Sequence, residues 1–422
     1  MGGSVFEFKV MEPEQRKGAG ALDFAYWTYR ICVSTTLSTY AQKELEVVRR
    51  YSDFEWFRAQ LCEANPYCIV PPIPEKDVQG TLDKFVGSDS QSANRLRDYR
   101  QRALRKFLVR LGAHSRLHTS HLLKDFLEMN EEEWGRKMKA TGKNSDGFFS
   151  TALGGGASHA LTRQWNAGGA VTEAGSSYAR MLANSNTNVQ VWEETSLYIH
   201  HLEDNIKMLR DRLQTLVDRR RKTGNALHEF GVAFERVGEI ERRIEANPLS
   251  NAIIAAGKQS KQLFSIYNDH ANEEMKQVVE TLNYYYGMCA AVRETLKRVQ
   301  SRARHVELLR HHATDVVAQK ERAAEKGGQA ERVAKLDNEL AELKERLDAA
   351  NGEQEAGEAI FKDELCRFHQ EKQYDMRAIL KNFAEVQLKY SARMKETWES
   401  LRPTVDAVQF EGDGGGQANT LK

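Results

Sequence analysis

An α+β domain followed by an all-α, three-helix coiled coil that completes itself as a dimer is the architecture this sequence predicts. Three observations carry that expectation. Short apolar alternations are confined to the first fifty residues, and helical periodicity follows them. Residues 135–190 then hold nine of the 29 glycines among many Ser, Thr, Asn and Ala. Beyond them, Pro248 is the sole proline between Pro74 and Pro403, in a region with a sustained heptad repeat.

The 422 residues suffice for two domains that each bury a core. Lys+Arg number 61 against 60 Asp+Glu, so attraction to a polyanion must come from a local patch rather than from net charge. Mean hydropathy is −0.62, and no run of about 18 apolar residues could span a bilayer. Met1 to Phe6 show no charged leader before an apolar run, and Phe6 stands where a myristoylation signal needs Ser or Thr. Cys32, Cys62, Cys68, Cys289 and Cys366 are odd in number and form no C-x-x-C pair, the usage of a reduced, cytosolic protein.

In the first domain, residues 4–134, strands are expected over 5–10, 26–33 and 45–48, forming a three-stranded antiparallel sheet beside a helical subdomain. Residues 135–190 read as a linker, and 191–410 as three helices of about 55, 75 and 70 residues, broken at Pro248 and at Gly327-Gly328. At 1.5 Å per residue the middle helix would approach ~110 Å, far beyond a globular helix. A 4-3 seam runs through the first of them: Leu202, Ile206, Leu209, Leu213, Leu216, then Leu227, Phe230, Phe234, Val237 and Ile244. Comparable seams run from Ala271 to Val306 and from Leu336 to Tyr390. A thin hairpin has little core of its own, so a second chain is expected to cover these seams. Gly224, Gly231 and Gly238 recur every seventh residue, which points to close helix approach, because glycine otherwise weakens a helix by ~1 kcal/mol.

Three motifs in the first domain carry chemistry. Arg49-Arg50-Tyr51-Ser52-Asp53-Phe54 closes the third strand and opens a helix, and Pro71-Pro72-Ile73-Pro74-Glu75-Lys76 follows. A helix then bears eight basic residues between Arg95 and Arg116 against the single acid Asp98. A phosphorylated sugar needs such a set: an Arg fork for one phosphate, an aromatic face for the ring and further cations for the other oxygens. In this order and spacing the motifs resemble the signature of the PX domain, a phosphatidylinositol 3-phosphate reader. The resemblance implies that Arg50 binds the 3-phosphate, Tyr51 stacks on the inositol, Lys76 meets the 1-phosphate and Arg100 binds the 4- and 5-hydroxyls.

The whole layout is similar to the PX-BAR sorting nexins, with the retromer-associated subfamily closest. Stretches such as Phe368-His369-Gln370-Glu371-Lys372 and Lys395-Glu396-Thr397-Trp398 contribute to that likeness. What it implies is a cytoplasmic protein, peripheral on early endosome membranes, that binds phosphatidylinositol 3-phosphate and senses or induces curvature as a dimer in cargo sorting and retrieval. The implied partners are such membranes, a second copy or another PX-BAR protein, and the retromer cargo-selective complex. Phe148, Phe149, Leu153, Leu161 and Trp165 suggest an amphipathic wedge in the linker, which Gly154-Gly155-Gly156 opposes as one continuous helix.

Several features keep a plain reading beside the sharp one. Val78, Leu82, Phe85 and Val86 suit either a membrane-inserting loop or a loop packed on its own domain. Tyr51 could be core, and Arg49 could form a surface salt bridge. Arg219 to Lys222, with Arg293, Lys297, Arg298, Arg302 and Arg304, suit a cationic concave face or plain solvation. His114, His118 and His121 share a helical spacing but lack neighbouring acids, so no metal site is expected, and no cofactor. No G-x4-G-K-[ST], H-E-x-x-H, G-x-S-x-G or H-x-K is present, which argues against an enzyme. Neutral total charge argues against nucleic acid. The competing function is a PX-tethered coiled-coil scaffold that recruits partners without bending membranes.

Overall fold

The structure, a computed structural model, describes residues 5–16, 26–74, 90–141, 188–244, 247–325 and 330–408. They group into two compact units, one of residues up to Asp204 with Tyr286–Gln370, the other of Asn205–Tyr285 with residues from Glu371 onward.

The first unit begins with an antiparallel sheet of β1 (Phe6–Val10), β2 (Glu14–Arg16), β3 (Tyr26–Thr35) and β4 (Glu44–Arg50). β4 pairs along one edge of β3, whereas β1 and β2 share the other edge, in register Phe8↔Val33 and Glu14↔Thr28. The three expected strands are present as β1, β3 and β4, and the short β2, which was not expected, makes the sheet four-stranded. Met11 N–H still donates to the Arg30 carbonyl at 2.8 Å, but Pro13 has no N–H to offer and the ladder lapses there. Alternation does the rest: Phe6, Phe8 and Val10 turn inward while Glu7 and Lys9 face out.

Over this face lie α1 (Tyr51–Ala64), α2 (Ser90–Gly112), α3 (His121–Glu128) and α4 (Glu131–Thr141). Their starts are written in the chain. Ser120 accepts from Leu122 N–H, and Asn130 and Glu133 cap one another reciprocally at 2.9 and 3.1 Å. Phe54, Phe57, Phe107, Phe126 and Trp134 form the aromatic centre of the core, with Phe57 and Phe126 stacked at 4.2 Å.

The helical region follows the expected three-part division. α5 spans Asn188–Ile244, α6 Pro248–Glu274, α7 Glu280–Glu325 and α8 Ala330–Glu399, with a short α9 at Arg402–Asp406. A π turn at Met275–Val279 joins α6 to α7, so the middle helix is continuous from Pro248. Asn247 caps its start, accepting from Ser250 N–H at 2.8 Å, and Pro248 occupies the first turn, where no N–H is missed. In the first unit α7 and α8 zip through Leu309, Val316, Ala323, Leu336 and Leu343. In the second, the glycine stripe of α5 meets α6. A side chain on Gly231 would stand 2.6 Å from the Gly257 carbonyl oxygen, so only glycine permits this approach.

Candidate functional site

β4 ends and α1 begins within the motif itself. Arg50 is extended (φ −84°, ψ 163°) and its N–H donates to the Asp53 carboxylate at 2.7 Å, which fixes the strand-to-helix turn. The two neighbouring arginines then separate by strand alternation. Arg49 points into the core, 1% exposed, and donates to the carbonyls of Phe126 and Met129 at 2.8 and 2.6 Å while its guanidinium lies 5.0 Å from the Trp134 ring. It is a buried structural fork and not a surface salt bridge. Burial lowers its pKa to about 10, and it stays charged at neutral pH.

Arg50 faces out, with its guanidinium 5.0 Å from the Tyr26 ring. Beside it is a crevice of about 120 Å³ lined by Tyr26, Thr28, Arg50, Asp53, Glu131 and Trp134 among others. Tyr51 opens α1 half-buried. Its hydroxyl donates to the Pro74 carbonyl, and burial pushes the phenol pKa up, so it remains a neutral donor. Arg100 of α2 lies 5.4 Å over the Tyr51 ring. The structure therefore gathers Arg50, Tyr51 and Arg100 at one end of the sheet. Lys76, and the apolar residues Val78, Leu82, Phe85 and Val86, lie outside the described residues, as do Phe148, Phe149, Leu153, Leu161 and Trp165 of the linker.

Other cations of α2 are engaged elsewhere. Arg105 donates to the Phe8 carbonyl at 3.0 Å, and Arg97 pairs with Asp98 and lies 5.8 Å over Trp27. Tyr26, which lies under the Arg50 guanidinium and lines the crevice, is the neighbour of the motif that sequence reasoning missed. The signal was register: Thr28 pairs with Arg50, so the start of β3 overshoots β4 and lies where the motif turns.

The candidate concave-face cations divide. Arg220 is buried against Glu274 and Gln387, and Arg221 meets Asp218 and Asn272. Arg293 pairs with Glu203, Arg298 with Glu294, and Arg302 with Glu353 and the Tyr67 ring. Arg219, Lys222, Lys297 and Arg304 keep exposed side chains. Five of these nine, Arg220, Arg221, Arg293, Arg298 and Arg302, are thus paired with groups of their own unit. The three histidines do not converge either. His114 Nε2 donates to Glu364 at 3.0 Å and its Nδ1 accepts from the Arg116 N–H, while His118 donates to the His114 carbonyl. Among the described residues no group of His, Cys, Asp and Glu is placed to hold a metal ion, and no helix is long and apolar enough to cross a membrane.

The α5 seam divides into two stripes. Ile206, Leu213, Leu227 and Phe234 lean inward, whereas Leu209, Leu216, Phe230, Val237 and Ile244 are 40 to 80% exposed. On α8, Tyr374, Leu380 and Leu388 are 71 to 75% exposed. Large apolar side chains repeating at heptad spacing on a water-facing stripe are the mark of a helix that meets another chain.

Comparison with known proteins agrees with this organisation. The family model described as Vps5 C terminal like matches residues 169–404, and that of the PX domain matches 37–130. The chain is 25% identical over 386 residues to sorting nexin 1 of Arabidopsis thaliana, covering 91% of this chain and 89% of that one. It is 24% identical over 390 residues to sorting nexin-1 of Bos taurus, covering 91% and 69%. The cryo-EM structure of the SNX-BAR Mvp1 tetramer superposes with a TM-score of 0.63 at 17% identity over 92% of this chain and 98% of that one, a likeness of fold.

Proposed function

We propose, from the premise that this chain belongs to the Vps5 C-terminal-like family and, with its PX domain, to the PX-BAR sorting nexins, that it binds phosphatidylinositol 3-phosphate on early endosomes and senses or induces curvature as a dimer in cargo sorting and retrieval. Arg50 takes the 3-phosphate, Tyr51 lies under the inositol, Arg100 binds the 4- and 5-hydroxyls and Lys76 supplies the 1-phosphate cation. Its work is binding rather than catalysis. The observation that carries this reading is the convergence of Arg50, Tyr51 and Arg100 at one sheet end.

Dimerisation multiplies the effect of one shallow pocket. Two pockets on one surface raise effective concentration and can increase avidity ~10² to 10⁴-fold without a new contact. The partner is a second copy or another PX-BAR chain, and the retromer cargo-selective complex is the further partner that fits the subfamily.

A scaffold that recruits partners without bending membranes is the second reading, and the internal pairing of Arg220, Arg221, Arg293, Arg298 and Arg302 favours it by thinning the free cationic surface. One experiment addresses both. Full-length protein is sedimented with liposomes of ~50 and ~400 nm with and without 3 mol% phosphatidylinositol 3-phosphate, and the liposomes are imaged. Lipid-dependent binding that favours small vesicles, with tubules, supports the curvature role. Lipid-dependent binding indifferent to size, without tubules, supports the scaffold. Binding indifferent to the 3-phosphate overturns the pocket assignment.

A further inference from the structure

The segment 65–74, which runs into the Pro-Pro-x-Pro-x-Lys motif, is gripped along one side by α7 and α8 of the same compact unit. Arg298 donates to the Pro66 carbonyl at 3.2 Å and Thr295 Oγ1 to the Cys68 carbonyl at 3.2 Å. Ile69 N–H donates to Glu364 at 3.1 Å, and Arg367 donates to the Ile69 carbonyl at 3.3 Å. The Tyr67 ring fills the space over Gly357, and a side chain on Gly287 would stand 2.8 Å from Pro72 Cβ.

The acids that organise this grip are firmly ionised. Burial opposes the charge on Glu364, but the His114 hydrogen bond and the Arg367 guanidinium outweigh it and hold the carboxyl at about 2. Glu294 is half-buried, which opposes its charge, but Arg58 and Arg298 on either side outweigh this and lower its pKa. Arg58 completes the bracket from α1, donating to the Pro71 carbonyl at 3.0 Å. The chain then passes under the Tyr51 hydroxyl at Pro74, two residues before Lys76 in sequence.

We infer that Thr295, Arg298, Glu364 and Gly287 of the helical arm are positioning residues for the phosphoinositide pocket, presetting the course of the segment that brings the Pro74 carbonyl to the Tyr51 hydroxyl. The inference rests on the phosphoinositide reading above. None of the four touches the headgroup; they act by removing conformations of segment 65–74 that would otherwise be lost on binding. By linkage, headgroup binding tightens the same joint between the sheet domain and the arm.

The test uses the full-length protein and water-soluble dibutanoyl phosphatidylinositol 3-phosphate, a single headgroup that reports neither avidity nor curvature. Titration calorimetry compares wild type with Thr295→Val/Arg298→Met, with Gly287→Ala, with Arg50→Ala and with Val316→Ala. The last loosens the α7–α8 zipper where nothing in segment 65–74 is touched. The double variant and Gly287→Ala should raise Kd roughly 5- to 20-fold, the scale of one or two partly coupled hydrogen bonds, with dimer mass and helix content unchanged. Val316→Ala should bind as wild type. Wild-type Kd in both grip variants overturns the inference and leaves the pocket standing, as does an equal loss in Val316→Ala, which would make the effect one of general arm stability. Failure of wild type itself to bind overturns the phosphoinositide reading and this inference with it.

Discussion

The Arg220 guanidinium meets the Glu274 carboxylate at 3.2 Å, and Glu274 is fully buried at the last residue before the π turn. Gln387 of α8 donates to the same carboxylate at 2.9 Å, so three helices of the second unit share one polar centre inside an otherwise apolar seam. Glu274→Ala leaves the half-buried Arg220 with only the Gln387 oxygen to pair with and Gln387 Nε2 without its acceptor, and should cost about 3 kcal/mol, read as a drop in urea midpoint. Replacing Arg220, Glu274 and Gln387 together by Met, Leu and Leu should recover most of that loss. A triple variant as unstable as the single one would mean that the centre stabilises the fold beyond its own desolvation cost.

Arg49 and Arg50 should respond oppositely to truncation. Arg49→Ala leaves the Phe126 and Met129 carbonyls without donors and empties a site between two aromatic rings. A loss of about 3 kcal/mol in stability is expected. Arg50→Ala should keep the melting temperature within a degree or two and instead weaken headgroup binding by about 1.5 to 3 kcal/mol per site. Thermal unfolding and titration of both variants check the pair, and swapped outcomes would place the ligand on the wrong arginine.

That contrast also marks how far the sequence could be read. Strand alternation already distinguishes inward from outward arginines, but only once the register is known, and the chain alone does not say which edge of β3 meets β4. The heptad seam was legible as a whole, yet its division into an inward stripe through Leu213 and an outward stripe through Leu216 depends on how α5 is rotated against α6, which the glycine stripe sets. Arg298 and Arg302 suited a cationic face or plain solvation, and their actual partners, the Pro66 carbonyl and the Tyr67 ring, lie more than two hundred residues away in sequence. The π turn left no recognisable sign in Met275-Lys276-Gln277-Val278-Val279. Long-range pairing decided what local pattern could not.

A pH dependence follows from His270, which is buried in α6 and stacked on Tyr390 at 4.7 Å. Burial and the nearby Arg220 charge hold its pKa at about 4, below the ordinary 6.5, while Gln387 and Glu273 act in the opposite sense more weakly. The unfolded chain therefore takes up a proton that the folded chain refuses. This contribution to stability is whole above pH 6.5 and is lost as pH falls toward 4. At pH 5 the loss should reach about 2 kcal/mol. Denaturant titrations of wild type and His270→Phe between pH 7.5 and 5 should diverge by that amount, and parallel curves would remove His270 as the cause.

The exposed stripe of α5 gives the last prediction. Leu216, Phe230 and Val237 face water at heptad spacing, and burying one such side chain against a partner is worth about 1.5 to 3 kcal/mol. Leu213 belongs to the inward stripe, packed on Val217, Ala271 and Val279. A charge at Phe230 or Val237 is solvated in the single chain and unpaired in the dimer, so its whole cost falls on association. A charge at Leu213 must be buried in the single chain as well. Phe230→Asp/Val237→Asp should therefore yield a folded monomer at micromolar concentration by analytical ultracentrifugation, with helix content near that of wild type. Leu213→Asp should lower the unfolding temperature before it changes the mass. The monomeric variant should keep wild-type affinity for the soluble headgroup lipid and lose most of its binding to liposomes, since each pocket is intact and only the pairing of pockets is gone. A dimer that survives both substitutions would move the interface to Tyr374, Leu380 and Leu388 of α8, where the same charge substitutions locate it.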